Sequence, residues 1–508
     1  MSLSETARNP VERSGAVVSG CFVRPVSMPT PCGIGSEFVV VIAVASCLHH
    51  FAYGVAPRHP LHPNCCAPWT RPIMADLRPL HALRYDVSKV GALSDVTTPP
   101  YDVIDAELQR RLEQRSPYNF IRLELTPTQP GDGPEDRYRR AAAILADWRR
   151  TGILTYDSAP AYYLYRQTFE TETGTHVRTG FLGRVRVDPF GVGSVYPHEQ
   201  TLSGPKADRL ALYRATGCNL SPVFGLYPDD RQDVIRTVEA GVKDKTPSTA
   251  IDHLGVKHEM WRVDDLETHA KLQALMADKP IFIADGHHRY ETSVADRDAF
   301  LAEHPEAADD LEHPCRFALM MFVGMSDPGL LILPTHRLVS GLPGLTAETL
   351  AARLAPEFDV EPVDSQEAAW TLIDAQAAQE VFGFGTRADG RWLLARLRSD
   401  DTMDRLAADQ SPDWRALGVS ILHRLVLDHL LADLGTPRCR YVHTLAETRA
   451  DLADPEGCDL ACLVAPATMD QVATLASRLE KMPAKSTYFY PKLLSGLVIS
   501  PIRRDHES

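Results

Sequence analysis

Hydrophobic positions recur at two periods along most of the chain, and each period predicts its own kind of element. At helical spacing, Tyr138, Ala142, Leu145 and Trp148 mark one face of a helix over residues 134–150, which Gly152 ends. The same spacing predicts helices over 105–114, 207–215, 231–243, 267–277, 347–354, 367–378, 414–434 and 469–480. Alternation, or an unbroken apolar run of strand length, predicts strands over 120–125, 161–170, 176–187, 257–263, 281–284, 316–324, 330–333, 381–384, 392–397 and 461–464. Helices and strands interleave throughout, so the expected fold class is α+β, a mixed α/β chain.

One junction concentrates chemistry. Residues 281–292, IFIADGHHRYET, read as a buried strand, a turn at Asp285 and Gly286, and a helix that continues to about Glu303. His287, His288 and Arg289 occupy the first helical turn, where the macrodipole favours acids. Helix N-termini attract anions and glycine admits a ligand closely, so this placement predicts an anion to be held. Asp285 as a simple cap, with the basic side chains facing water, is the plainer alternative.

Three further stretches carry candidates. His198, Glu199, Lys206, Asp208 and Arg209 fall within twelve residues around the turn Ser203-Gly204-Pro205. Acid, base and cation beside a glycine turn suit proton transfer next to a phosphate; Asp208 and Arg209 also fit a solvated helix face. The spacing is not that of a Walker P-loop. The predicted strand 330–333 delivers His336 and Arg337 at its end. Near the C-terminus, Lys485, Ser486, Thr487 and Lys492 are phosphate-ligand candidates among alternating aromatics. Asp102, in TPPYDVI, is either a turn acid or a site carboxylate.

Composition narrows the partners. The chain has 508 residues, 44% hydrophobic and 24% charged, with a formal net charge of −14. An acidic chain attracts phosphate backbones and anionic lipid poorly, and no basic recognition helix is apparent. A small-molecule substrate is therefore expected, not nucleic acid and not a membrane. Residues 1–73 contain no Lys and no Asp but nine prolines and five of the ten cysteines. That break predicts a mis-called or disordered extension ahead of Met74. Beyond it we expect an N-terminal α/β subdomain over 74–230, a central segment over 231–340 and a C-terminal α/β subdomain over 341–508. Scattered cysteines without a paired motif fit a reducing cytoplasm.

The ordered set TPPYDVI, PYNFIRLEL, PHEQTLSGPKADRL, NLSPVFGLY, IADGHHRYET, LPTHR and MPAKSTYFYPKLLSGLVI resembles an uncharacterised prokaryotic family, domain-of-unknown-function family 1015, over residues 74–500. The DGHHRYET string separately resembles the Gly-x-His-Arg box of ParB-like proteins, sulfiredoxin and ParB-like free-serine kinases. That second resemblance implies a ParB/sulfiredoxin-like core in which Gly286, His288 and Arg289 contact nucleotide phosphate while Asp285 and His287 shape the site. Gly286 stands where sulfiredoxin has its cysteine, which argues against sulfinic-acid reduction.

The resulting expectation is a phosphotransferase, using a nucleotide or pyrophosphate with Mg²⁺ and acting on free serine or a similar hydroxyl compound. Glu199, Asp102 and His288 would be catalytic. Lys206, Arg209, Asp285, Gly286, His287, Arg289, His336 and Lys485 would hold the phosphate donor, with Asp285 also on the metal. A ParB-like nucleotide-binding regulator associated with DNA and a metal-dependent hydrolase are the alternatives.

Overall fold

The computed structural model describes residues 75–505 apart from Leu202; the expectation for residues 1–73 lies outside the described residues. The architecture is α+β, built on two large sheets.

The first sheet has nine strands. Its order runs Val195–Tyr196, Ile281–Asp285, Val223–Tyr227, Phe317–Gly324, Gly174–Arg186, Tyr162–Thr171, Lys257–Val263 and Ser248–Ile251, with Leu77–Arg78 also on Gly174–Arg186. Two pairings are parallel, Ile281–Asp285 with Val195–Tyr196 and Phe317–Gly324 with Val223–Tyr227. Strands come from both sides of residue 230.

Period-two alternation splits each central strand between two cores. Tyr163 and Tyr165 enter one with Leu145, Trp148 and Leu212 of the helices Asp136–Arg150 and Ser203–Thr216. Tyr162 and Leu164 enter the other with Val234, Leu272 and Tyr290, from helices on the opposite face. With both faces covered, the strands Val223–Tyr227 and Phe317–Gly324 are apolar at nearly every position.

The second sheet is six-stranded and wholly antiparallel, in the order Phe358–Val363, Trp392–Leu397, Val381–Thr386, Leu460–Val464, His336–Ser340 and Arg438–Val442. Leu350, Leu425 and Leu475 pack on one face, Ala369 and Ile373 on the other.

The chain then returns to the elements that surround the first sheet. Tyr488–Tyr490 pairs with Leu331–Leu333, Ser495 bridges Thr98, Ile499 bridges Leu83, and Ser500–Pro501 pairs with Cys218–Asn219. The fully buried Arg178 grips this return, donating to the carbonyls of Tyr490, at 3.0 Å, and Pro491.

One predicted strand and one predicted helix change. Residues 120–125 are not a strand but a short helix, Ile121–Glu124, because the Asn119 side chain accepts from the Ile121 N–H at 3.0 Å and starts a helical turn. The helix predicted over 414–434 breaks into Pro412–Arg415, Gly418–Ser420 and a π-helical stretch, Ile421–Leu430. The break falls at Leu417, whose backbone is extended, and Gly418 restarts the helix where a Cβ would lie 2.8 Å from the Gln379 carbonyl. Among the described residues, no helix is long and apolar enough to cross a membrane.

Candidate functional site

The strand Ile281–Asp285 runs into Gly286, whose φ of +88° closes the turn before the helix His287–Glu303. An L side chain in that region costs about 1–2 kcal/mol, which glycine escapes. Space requires glycine too, since a Cβ would lie 2.8 Å from Arg289 Nε. Arg289 curls back beneath the turn, 3% exposed, donating to the Asp285 carboxylate and the Pro222 carbonyl. The helix therefore starts with no side-chain cap and no acid in its first turn. Its positive end is open to an anion.

Asp285 is held from both sides. Lys492 Nζ lies 2.6 Å from Oδ1, and Arg289 takes Oδ2. Burial alone would raise its pKa, but Lys492 and Arg289 hold it far below the usual carboxylate range. Both oxygens are committed, so Asp285 does not fit the expected metal role. Among the described residues, no group of three His, Cys, Asp or Glu side chains could hold a metal.

Behind the turn, two buried histidines lock the wall together. His198 Nδ1 donates to the Ile283 carbonyl at 2.6 Å, which leaves Nε2 to accept from Thr487 at 2.8 Å. The His198 backbone N–H donates to His287 Nε2 at 3.2 Å. Burial pushes His198 down to about 4 and His287 well below its ordinary value, so both are neutral near pH 7. His287 thus presents no charge to a ligand near pH 7.

Glu199 and Lys485 meet through the backbone. The Lys485 N–H donates to Glu199 Oε1 at 2.7 Å. Protein surrounds Glu199 although its edge reaches solvent, and that burial raises its pKa to about 7 against the opposing pull of the Lys485 N–H and ammonium. Lys485 is exposed and sits at φ +59°, the left-handed region. Among the described residues its ammonium has no hydrogen-bond or ion-pair partner. It is close enough to depress both Asp285 and His288.

His288 is half-buried, and burial lowers its pKa. The charges that act on it are those of Lys485, Glu291, Asp102 and Lys206. His288 is therefore within electrostatic reach of three other sequence-predicted residues, Lys485, Asp102 and Lys206. Lys206 lies in the first turn of Ser203–Thr216, so Ser203-Gly204-Pro205 begins that helix instead of forming a separate turn. Its ammonium is 3.0 Å from Glu291 Oε2, which also accepts from Thr201 at 2.7 Å. Asp102, on the helical turn Tyr101–Val103, is exposed.

Two candidates stand apart. Arg209 is buried over the Tyr101 ring, at 4.2 Å, with its donors on Glu124 and Asp208, so it braces the wall without facing a ligand. His336 is buried in the second sheet, accepting from the Val464 N–H and packed edge-on against Trp370. Its neighbour Arg337 points to the opposite side of the strand and reaches the Lys485 carbonyl at 2.9 Å. The sequence pattern offers Arg337 only as one half of a His-Arg pair and does not nominate Glu291 for the site. Alternation along 336–340 is the one signal that could have separated Arg337 from His336.

The model of a family described as protein of unknown function (DUF1015) matches residues 77–420. A search of curated proteins finds no match. Among solved structures, a free serine kinase in complex with AMP is similar over 58% of this chain and 83% of its own, at 15% identity and a TM-score of 0.29. A conserved hypothetical protein from Pyrococcus furiosus is similar over 58% and 87%, at 14% identity and 0.28. SbnI with a C-terminal truncation, from Staphylococcus aureus, is similar over 64% and 90%, at 12% identity and 0.30. Likenesses this slight carry no weight for function.

Proposed function

The chain belongs to the DUF1015 family, and from that premise we propose that it binds the phosphates of a nucleotide or of pyrophosphate and transfers a phosphoryl group to the hydroxyl of a small molecule, free serine among the candidates. Phosphoryl transfer asks the protein mainly for positioning and for positive charge around the moving group. The observation that carries the reading is Lys485. Its backbone is fixed at both N–H and C=O, yet its ammonium is unpartnered among the described residues, beside His288 and the open end of a long helix. Lys206 and Lys481 are paired with Glu291, and Lys492 and Arg289 with Asp285, so among the described residues Lys485 is the one of these five cations left without a carboxylate and calls for an anion.

Glu199 suits the base. A carboxylate with a pKa of about 7 takes a proton readily at neutral pH, whereas an ordinary glutamate holds one weakly. In the proposed step the acceptor oxygen attacks phosphorus, the bond to the donor's leaving phosphate breaks, and the acceptor's proton passes to Glu199. Asp102 is the second candidate for that proton. Lys485 and the helix start would hold the equatorial oxygens. No step is assigned to Mg²⁺, because both oxygens of Asp285 are already engaged by Lys492 and Arg289.

The test is direct. The full chain is incubated with free serine and ATP, ADP or pyrophosphate, and phosphorus NMR follows the products. Formation of a phosphomonoester, lost in Lys485→Gly and Glu199→Gln, is the expected result. Tight binding of none of the three donors would overturn the proposal.

A further inference from the structure

Arg337 is fully buried, and among the described residues no carboxylate contacts its guanidinium. It donates to the Thr335 carbonyl and, at 2.9 Å, to the Lys485 carbonyl, and its Nε donates to His423 Nε2 at 3.3 Å. Burial lowers its pKa to about 10, which still leaves it charged at neutral pH. Keeping a charge that deep against neutral partners is costly, and packing alone would be served better by an apolar side chain.

What Arg337 holds is unusual as well. Lys485 is a non-glycine residue at φ +59°, a conformation that persists only where its surroundings over-determine it. Glu199 fixes one side of that residue and Arg337 the other. His423, which fixes Arg337, sits on the π-helical stretch Ile421–Leu430, a rare geometry that is frequent at functional sites.

We infer that Arg337 is a positioning residue, which holds Lys485 in its left-handed conformation so that the ammonium faces the bound phosphate while the N–H faces Glu199. The inference rests on the phosphate reading of the site. It also gives the six-stranded sheet a role, because the core of that sheet supplies the clamp for a residue that acts at the edge of the other sheet.

Calorimetric titration of the full chain with pyrophosphate tests it on wild type, Arg337→Met, Lys485→Gly and the double variant. Lys485→Gly tolerates the left-handed backbone and deletes the side chain with its ammonium. Each single change is expected to weaken binding about tenfold, the loss of one charge-assisted hydrogen bond, and the double variant to bind no worse than either. Losses that multiply would overturn the inference.

Glu199 gives a reading that needs no ligand. Its pKa, followed by carbon NMR, is expected to rise above about 7 in Arg337→Met as the Lys485 N–H leaves Oε1; an unmoved pKa overturns the inference. If wild type binds no pyrophosphate, the phosphate reading fails while the NMR titration still decides the role of Arg337. Arg337→Lys keeps the charge but cannot serve both carbonyls and His423 at once. It replaces Arg337→Met, with the same expectations, if the methionine variant does not fold.

Discussion

Replacing Glu199 with glutamine keeps an oxygen for the Lys485 N–H and removes only the titration. Burial raises the pKa of Glu199 from 4.5 to about 7. A group whose pKa is raised by folding favours the fold below its unfolded value and loses that advantage as pH climbs through the folded value. At about 1.4 kcal/mol per pH unit, the ionised side chain should destabilise the native state by about 2–3 kcal/mol at roughly pH 8.5 compared with roughly pH 5. Urea unfolding of wild type and Glu199→Gln across that range is the assay. The wild-type curve alone is insufficient, because the neutral His198 and His336, pushed down to about 4 and about 3 by burial, lose stability in the opposite direction as pH falls below 6.5. The difference between the two proteins cancels those histidines. It should be small at the acid end and favour Glu199→Gln by about 2–3 kcal/mol at the alkaline end. A difference independent of pH would refute both the burial argument and Glu199 as a base poised near neutrality.

Other expectations follow from single contacts. Gly286→Ala forces a side chain into a left-handed turn, at about 1–2 kcal/mol, and displaces Arg289; thermal stability should fall accordingly and pyrophosphate binding should weaken. Lys492→Met leaves Asp285 with Arg289 alone. The loss should be about 3 kcal/mol, the scale for breaking a buried ion pair, read by denaturant unfolding, and no loss would mean that the pair is not formed. His336→Phe should lower stability by about 1–3 kcal/mol through the unpartnered Val464 N–H and leave pyrophosphate affinity unchanged, whereas a lost affinity would return His336 to the site. Lys485→Gly should change stability by less than about 0.5 kcal/mol, as for a surface side chain, while weakening pyrophosphate binding about tenfold.

Local physics made much of this legible. The strand Lys257–Val263 and the junction at Gly286 follow from periodicity and from the sterics of a left-handed turn. Strands with half-polar faces were not legible: Phe358–Val363 and Arg438–Val442 lie at the edges of their sheet, so little apolar pattern marks them. The six residues from 120 alternate like a strand, but one asparagine cap outweighs so short a pattern. At the site, the sequence could nominate Asp285 and Lys492 separately but not join them, because they are 207 positions apart. Nor could it show that Arg209 is fully engaged by Glu124 and Asp208, since that contact is made by the fold, not by any motif.

The return of the chain to the elements that surround the first sheet has a consequence in time. A ribosome delivers the nine-stranded sheet, with the open turn at Gly286, well before it delivers Lys485 and Lys492. Until then Asp285 lacks one of its two cations, Glu199 lacks the N–H that restrains it, and His198 lacks Thr487. Contacts so distant along the chain form slowly. The site should therefore be the last region to mature, and newly made protein should acquire its full affinity for phosphate only once this return is complete.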